Sequence, residues 1–352
     1  MLTIDGSKGE GGGQVLRTTL SMAVLLEREV RIEKIRAGRS TPGLAAAHLT
    51  AVRAAAAVCG AEVEGAEMGS EQVTFRPSST RGGSYEFDVG TAGSTTLVLQ
   101  TILPPLLLAP GTSYARIHGG TNVLWSPPQE YFAHVFLPAI AAMGARVAFE
   151  CLAPGFYPRG GGLIEARITP LENPLRPLLW QDRGEFQSLQ AFSVASESLP
   201  DHITARQIKG AREALGSTGL SEQRSHPRSL SPGTMLMIAA GFERGRAGFT
   251  AHGERGRPAE KVGREAGREA AAFLDGKASV DEHLADQLVI YGAMAGKESG
   301  YRTAKVTEHL RTNLSTVRQF LEIDMDVDDT DGSVRICGAG LRPAKRRGSS
   351  TR

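Results

Sequence analysis

Apolar positions along this chain follow two rhythms that alternate in a fixed order. Residues 15–26 form a helix-length apolar stretch opened by glycines. RIEKIR at 31–36 then alternates apolar and polar, the period-two rhythm of a strand, and stops at Gly38. An alanine-rich helical stretch, 48–59, is closed by Gly60, and AEVE (61–64) and QVTF (72–75) suit two strands. The order then recurs. Gly93 and Ser94 lead into an apolar helix at 96–107, YARI (114–117) is a strand ending at Gly119-Gly120, and a helix at 129–143 closes at Gly144. ARVAF (145–149) and GLIEARI (162–168) complete it as strands. Gly38 recurs as Gly120, 82 residues on, and Gly60 as Gly144, 84 residues on; CGAEVE at 59–64 echoes MGARVA at 143–148. A near-constant offset with a matching element order argues for duplicated αβαββ units.

A third, degenerate copy follows near the C-terminus: helix at 284–295, extended chain at 301–307, helix at 309–321, and a hairpin turning at Asp331-Gly332. Between the second and third copies the rhythm changes to strand (187–194), helix (201–215), several strands and helix (259–274). The pattern therefore predicts an α/β (α+β) chain. Residues 1–180 hold two copies and the start of a third, 181–275 form a small inserted α/β domain, and 276–337 complete the third copy. Residues 338–352, basic and rich in small residues toward the end, are expected to be disordered.

Composition narrows the function. The net charge is only +2, far from the balance of a protein that coats nucleic acid, so any nucleic-acid partner is gripped locally. Three widely spaced cysteines without a CxxC argue against a disulfide framework or a zinc site and fit a reducing compartment. The start of the chain lacks a signal-peptide pattern. The most apolar run, 97–109, is too short to span a bilayer and holds Pro104 and Pro105. A soluble cytoplasmic protein without a membrane partner is expected.

Candidate chemistry clusters at turns. GEGGGQVLR (9–17) precedes a helix, so its backbone N–H groups can hold an anion, although it is neither a Walker A sequence nor GxGxxG. Glu10 among those glycines can reach a magnesium ion, and Arg17, one turn into the helix, can fork onto a phosphate. Taken alone, the glycine run is also compatible with a flexible turn. Arg36 and Arg39 flank Gly38 at a strand end, where ligands of α/β sheets collect; a solvated basic loop is the alternative. GFYPRGGG (155–162) places Arg159 at a hairpin tip with room for a ligand. Gln100 lies within an apolar helix. Asp286 and Gln287, after His283, sit at the head of another helix, where Asp286 serves as cap or as nucleotide contact. TEHLRTN (307–313) opens a helix with Thr307 as N-cap. That setting keeps the His309 imidazole neutral and attracts phosphate, the combination that nucleophilic attack on phosphorus requires. The acidic run 324–331 fails the EF-hand pattern and suits a hairpin.

Seven segments taken together resemble the RNA 3′-terminal phosphate cyclases: residues 4–17, 35–39 with 42–44, 48–52, 93–100, 155–162, 284–288 and 309–313. The resemblance covers nearly the whole chain apart from the tail. It implies three βαβαββ-type repeats in a pseudo-threefold arrangement with one small inserted α/β domain. It also implies a ligase-class, ATP-dependent reaction in three steps. His309 takes AMP from ATP; AMP passes to an RNA 3′-phosphate, giving RNA(3′)pp(5′)A; the 2′-hydroxyl then closes a 2′,3′-cyclic phosphate and expels AMP. By the same resemblance Glu10 holds Mg²⁺ or Mn²⁺, and Arg17, Arg36 and Arg39 hold phosphates. Gln100, His283, Leu284, Ala285, Asp286 and Gln287 match nucleotide-binding positions. His283 stands where many relatives carry an aromatic residue, and Glu308 where many have a small or uncharged one. ATP and RNA 3′-phosphate ends are the implied partners, with a homodimer expected by analogy alone. Two rival readings share the fold: a non-catalytic cyclase-like RNA-binding protein of ribosome assembly, which lacks the nucleophilic histidine, and an enolpyruvyl-transferase-like enzyme, which needs none.

Overall fold

In a computed structural model that describes residues 1–216 and 219–343, each rhythm becomes an element. β1 (Leu2–Asp5) passes through the glycine-rich turn into α1 (Gly13–Leu25). β2 (Val30–Glu33), α2 (Ala46–Cys59), β3 (Glu62–Glu64) and β4 (Val73–Arg76) follow. The strands lie in the order β1-β2-β4-β3, with β1 parallel to β2 and β4 antiparallel to both its neighbours. A parallel pair needs a crossover rather than a hairpin, and α1 supplies it.

The next stretch repeats that connectivity. β5 (Ser84–Asp88), α3 (Thr95–Leu107) and β6 (Ser113–Gly119) are followed by one helical rod in three parts: α4 (Gln129–Tyr131), a π-helical turn (Phe132–Phe136) and α5 (Leu137–Ala142). β7 (Arg146–Ala153) and β8 (Gly162–Thr169) close a sheet ordered β5-β6-β8-β7 with the same strand senses.

After β9 (Leu179–Trp180) come β10 (Phe186–Ala195), α6 (His202–Leu215), β11 (Ser221–Ser225), β12 (Thr234–Phe242), β13 (Gly245–His252) and α7 (Ala259–Asp275). These strands form their own sheet, β11-β10-β12-β13. The chain then resumes with α8 (Glu282–Gln287), α9 (Val289–Met294), β14 (Glu298–Arg302), α10 (Glu308–Arg318), β15 (Met325–Val327) and β16 (Ser333–Cys337). β9 pairs in parallel with β14 across the intervening segment, in the sheet β15-β16-β14-β9. Read from the other edge, this is the strand order of the first two sheets.

The apolar faces of the three like-ordered sheets and their helices meet in one core that includes Ile4, Leu20, Phe75, Ile117, Phe136, Leu310 and Ile336. The segment between β9 and α8 has a second core around Leu189, Ile208, Leu236, Val262 and Phe273. Strand β12 serves both. Side chains alternate across a strand, so Met235 and Met237 face the main core while Leu236 and Ile238 face the second. Among the described residues no helix is long and apolar enough to cross a membrane.

Three sequence expectations need correction. Each unit begins with a strand that the αβαββ pattern lacked; β1, β5 and β9 are short, and β9 is defined only by its distant partner. Asp286 does not head its helix. Asp281 caps α8, accepting from the N–H groups of His283 and Leu284, and Asp286 lies in the last turn. Disorder does not begin at residue 338, because the N–H groups of Ala339, Gly340 and Leu341 donate to the carbonyls of Ala293, Ala295 and Met294. The remainder of that expectation, 344–352, lies outside the described residues.

Candidate functional site

Helices α1 and α10 lie side by side and parallel. Gln14 meets His309, and Thr18 meets Asn313, at the same sequence separation of 295. A constant separation means the two rods advance together, so both N-termini open onto one place. Neither α1 nor its Gly12 cap supplies a side-chain acceptor, which leaves the first N–H groups of α1 free for an anion. Thr307 caps α10, its hydroxyl accepting from Leu310 N–H at 3.2 Å, as the sequence predicted.

His309 stands in the first turn of α10, half-exposed. Its Nδ1 lies 2.6 Å from Gln14 Oε1. The Gln14 amide is oriented in turn by its own NH₂ group, which donates to Asp286 Oδ1 at 3.2 Å. The oxygen of Gln14 therefore faces the imidazole, and an oxygen accepts, so Nδ1 carries the ring proton and Nε2 keeps its lone pair. Burial pushes the His309 pKa below the ordinary histidine value; Glu10 opposes this, and His283, Arg17 and Arg39 add to it. The ring is neutral at neutral pH.

The remaining predicted residues fall into three groups. Glu10, Arg17 and Arg39 gather with His309, and Arg36 lies beside Arg39 and His48. Glu10 Oε1 is 3.9 Å from His309 Nδ1, and Arg39 donates to Glu10 Oε2 at 2.6 Å. Burial pushes the Arg17 guanidinium down to about 10, with Glu10 and Asp286 opposing, so it stays charged. Arg36 adopts a positive φ of 56° and donates to Gly43 O at 2.8 Å, which fixes the turn it sits in. A second group supports the first from behind. Asp286 orients Gln14, and its carbonyl accepts from Asn313 Nδ2 at 2.8 Å. Burial and the nearby Asp281 push the Asp286 carboxyl well above the carboxylate range, with Arg17 opposing. Gln100 donates to Gln287 Oε1 at 2.8 Å, tying α3 to the end of α8. The third group faces elsewhere: Leu284 and Ala285 are fully buried in the core, so neither side chain can meet a ligand. His283, by contrast, is exposed beside Glu282 and stands near enough to His309 to help lower its pKa.

Sequence reasoning gave no role to Gln14, His48 or Asn313, although all three lie inside the quoted motifs. Their polar side chains on otherwise buried helix faces were the available signal. His48, in the first turn of α2, is mostly buried and its Nδ1 has no partner. Burial pushes its pKa down to about 3, helped by Arg17, Arg36 and Arg39. Its Nε2 occupies the space beside Gly13 that a Cβ there would fill, so Gly13 is required by close approach.

Among the described residues no cluster of three or more acidic, histidine or cysteine side chains could hold a metal. One carboxylate suits a magnesium-type ion whose other ligands are substrate phosphates and water, and Glu10 Oε1 is free for that role because Arg39 takes Oε2.

An uncharged imidazole with a free Nε2, three arginines and two converging helix N-termini form an arrangement suited to phosphate chemistry, on an α/β scaffold. The family model of RNA 3′-terminal phosphate cyclase matches residues 8–327. The chain is 41% identical to the RNA 3′-terminal phosphate cyclase of Pyrobaculum aerophilum, covering 96% of this chain and 98% of that one. It is 43% identical to that of Koribacter versatilis, covering 96% and 94%. The chain belongs to the RNA 3′-terminal phosphate cyclase family of enzymes. A solved enolpyruvyl transferase, NikO of Streptomyces tendae, aligns over 98% of this chain and 50% of its own at 11% identity with a TM-score of 0.41, a likeness too remote to bear on activity.

Proposed function

We propose that this enzyme converts RNA 3′-phosphate ends to 2′,3′-cyclic phosphates, using ATP and a covalent AMP on His309. The observation that carries the reading is the 2.6 Å contact from His309 Nδ1 to Gln14 Oε1, which leaves Nε2 unprotonated. In the first step the Nε2 lone pair attacks the α-phosphorus of ATP. The bond to the bridging oxygen of the β-phosphate breaks, and pyrophosphate leaves. An oxygen of the RNA 3′-phosphate then attacks the phosphorus on His309, breaking the P–N bond and forming RNA(3′)pp(5′)A. Finally the 2′-hydroxyl loses its proton and attacks the 3′-phosphorus, closing the ring and expelling AMP. The hydroxyl is already adjacent, and effective molarities for such intramolecular steps reach about 10⁵ M or more.

Each residue has a task of its own. Gln14, held by Asp286, keeps the imidazole in the productive tautomer and orientation. Arg17, Arg36 and Arg39, with the N–H groups opening α1, offset phosphate charge before reaction begins. Glu10 would hold Mg²⁺ or Mn²⁺, which supplies further neutralisation of the phosphates when bound. Gln100 and Gln287, bonded to each other, brace the wall of the nucleotide site.

The same reading takes the three like-ordered sheets as repeats of one βαβαββ unit in a pseudo-threefold arrangement, with 181–275 inserted into the third after its first strand. Support comes from their common strand order and from the separate core of the insert.

The test is incubation with ATP labelled at the α-phosphate, followed by denaturation. The expected result is a protein-bound label, acid-labile and alkali-stable, absent from His309→Ala. An unlabelled wild type rejects the nucleophile. Added RNA 3′-phosphate is expected to become phosphatase-resistant.

A further inference from the structure

Beyond the His309 site, large apolar side chains stand in solvent on three separate loops. Trp125 is 95% exposed, Tyr157 76% and Leu230 62%. Trp125 also holds a positive φ of 64°, a backbone region that a bulky residue rarely occupies. Strained backbone that displays an indole to water costs free energy twice, which points to a ligand.

The three loops are joined. Thr121 and Asn122, just before Trp125, donate their N–H groups to Gly155 O at 3.0 and 3.1 Å, two residues before Tyr157. Arg159 N–H donates to Ser231 Oγ at 3.1 Å, and the Leu230 side chain fills the space beside Gly161. The cluster also continues toward the phosphate site. A Cβ at Gly160 would stand 2.9 Å from Ala92 Cα, and one at Gly93 would stand 2.8 Å from Ala47 Cβ. Ala47 precedes His48, which packs against Gly13 and feels the three arginines. Arg159 is exposed and its guanidinium has no side-chain partner among the described residues.

We propose that Trp125 and Tyr157, with Leu230 as edge and Arg159 as charge, form a stacking platform for the unpaired nucleotides just upstream of the RNA 3′-phosphate. The inference rests on the reading of the His309 site as the place where that phosphate reacts. Aromatic faces beside a free guanidinium fit single-stranded nucleic acid, because every base has a π-face and every linkage a charge. A protein partner would be expected to bury a larger, contiguous apolar area than three separated side chains. The platform also resolves how a chain of net charge +2 grips RNA at one end only.

The test compares the wild type with Trp125→Ala, Tyr157→Ala and Trp125→Phe on two substrates: a single-stranded decamer ending in a 3′-phosphate, and a nucleoside 3′-phosphate with nothing upstream. Removing a stacked ring is expected to raise KM for the decamer about tenfold. KM for the mononucleotide and the rate of self-adenylylation stay unchanged, and Trp125→Phe restores most of the loss. Unchanged decamer KM, or equal losses on both substrates, overturns the platform. So does altered self-association of the variants with unaltered RNA binding, which would mark a protein interface. Quenching of tryptophan fluorescence by the decamer, expected to vanish in Trp125→Phe, needs no catalysis. A wild type that shows this quenching but takes no AMP keeps the platform and rejects the His309 reading.

Discussion

At the scale of single residues, the decisive group is one that sequence motifs name without explaining. Gln14 fixes which nitrogen of His309 carries the proton. Gln14→Leu removes the acceptor, so the imidazole can turn or change tautomer. Self-adenylylation is expected to fall about 10²-fold with little change in melting temperature. Gln14→Glu retains an acceptor and is expected to recover part of that rate; equal loss in both variants would sink the tautomer argument. His48 behaves differently, because its pKa of about 3 lies below the unfolded value near 6.5. Below pH 6.5 the unfolded chain takes up a proton that the folded chain refuses. Stability from this group is therefore fully present above pH 6.5 and is lost as pH falls toward 3. His48→Gln is neutral throughout, so its urea midpoint is expected to decline less than that of the wild type between pH 7 and 5. The setting of His309 was legible, because Thr307 caps the helix it opens and such a start favours a neutral imidazole. The roles of Gln14 and Asn313 were not, since they arise only when two helices separated by 295 residues lie parallel.

At the scale of elements, the longer helices were readable as helix-length apolar or amphipathic stretches, some with clear ends, such as α2 closing at Gly60, α3 opening at Ser94 and α10 opening at Thr307. The leading strands were not. Leu2–Asp5 offers four residues of alternation, and Leu179–Trp180 only two. Helix α3 shows how a local violation is absorbed. Pro104 and Pro105 interrupt its hydrogen-bond ladder. A Pro at 105 cannot donate to Thr101 O, and that buried carbonyl accepts instead from Ser21 Oγ of α1 at 2.7 Å. Ser21→Ala leaves the carbonyl unpaired and is expected to destabilise the fold by about 1–3 kcal/mol. Denaturant unfolding should show a lower midpoint with an unchanged slope, while self-adenylylation of the folded enzyme is retained. No change in midpoint would mean that the carbonyl finds another donor.

At the scale of the whole molecule, the segment between β9 and α8 must be held in register with the sheets on either side of it, and one buried carboxylate bonds to both sides. Asp281 is 2% exposed. One oxygen accepts from the N–H groups of His283 and Leu284 at the head of α8, both at 2.9 Å; the other accepts from Gly248 N–H of β13 at 2.9 Å. The Tyr131 hydroxyl, from the second unit, donates to both at 2.9 and 3.0 Å. Every neighbour named is a donor, so the site requires an acceptor on each side, which an ionised carboxylate provides and an amide does not. Burial pushes the Asp281 carboxyl upward, and the nearby His283 and these hydrogen-bond donors pull it back. Asp281→Asn turns one acceptor into a donor facing donors, with almost no change in volume. The expected cost is about 1–3 kcal/mol or more, a loss far beyond that of an ordinary surface change. The consequence also reaches the reaction. Asp281 sets the start of α8, α8 carries Asp286, Asp286 orients Gln14, and Gln14 orients His309. Asp281→Asn should therefore lower both the unfolding midpoint and the rate of self-adenylylation, even where the protein is fully folded. A variant that is less stable yet adenylylates at the wild-type rate would show that the chain of hydrogen bonds from Asp281 to the histidine carries no positional information.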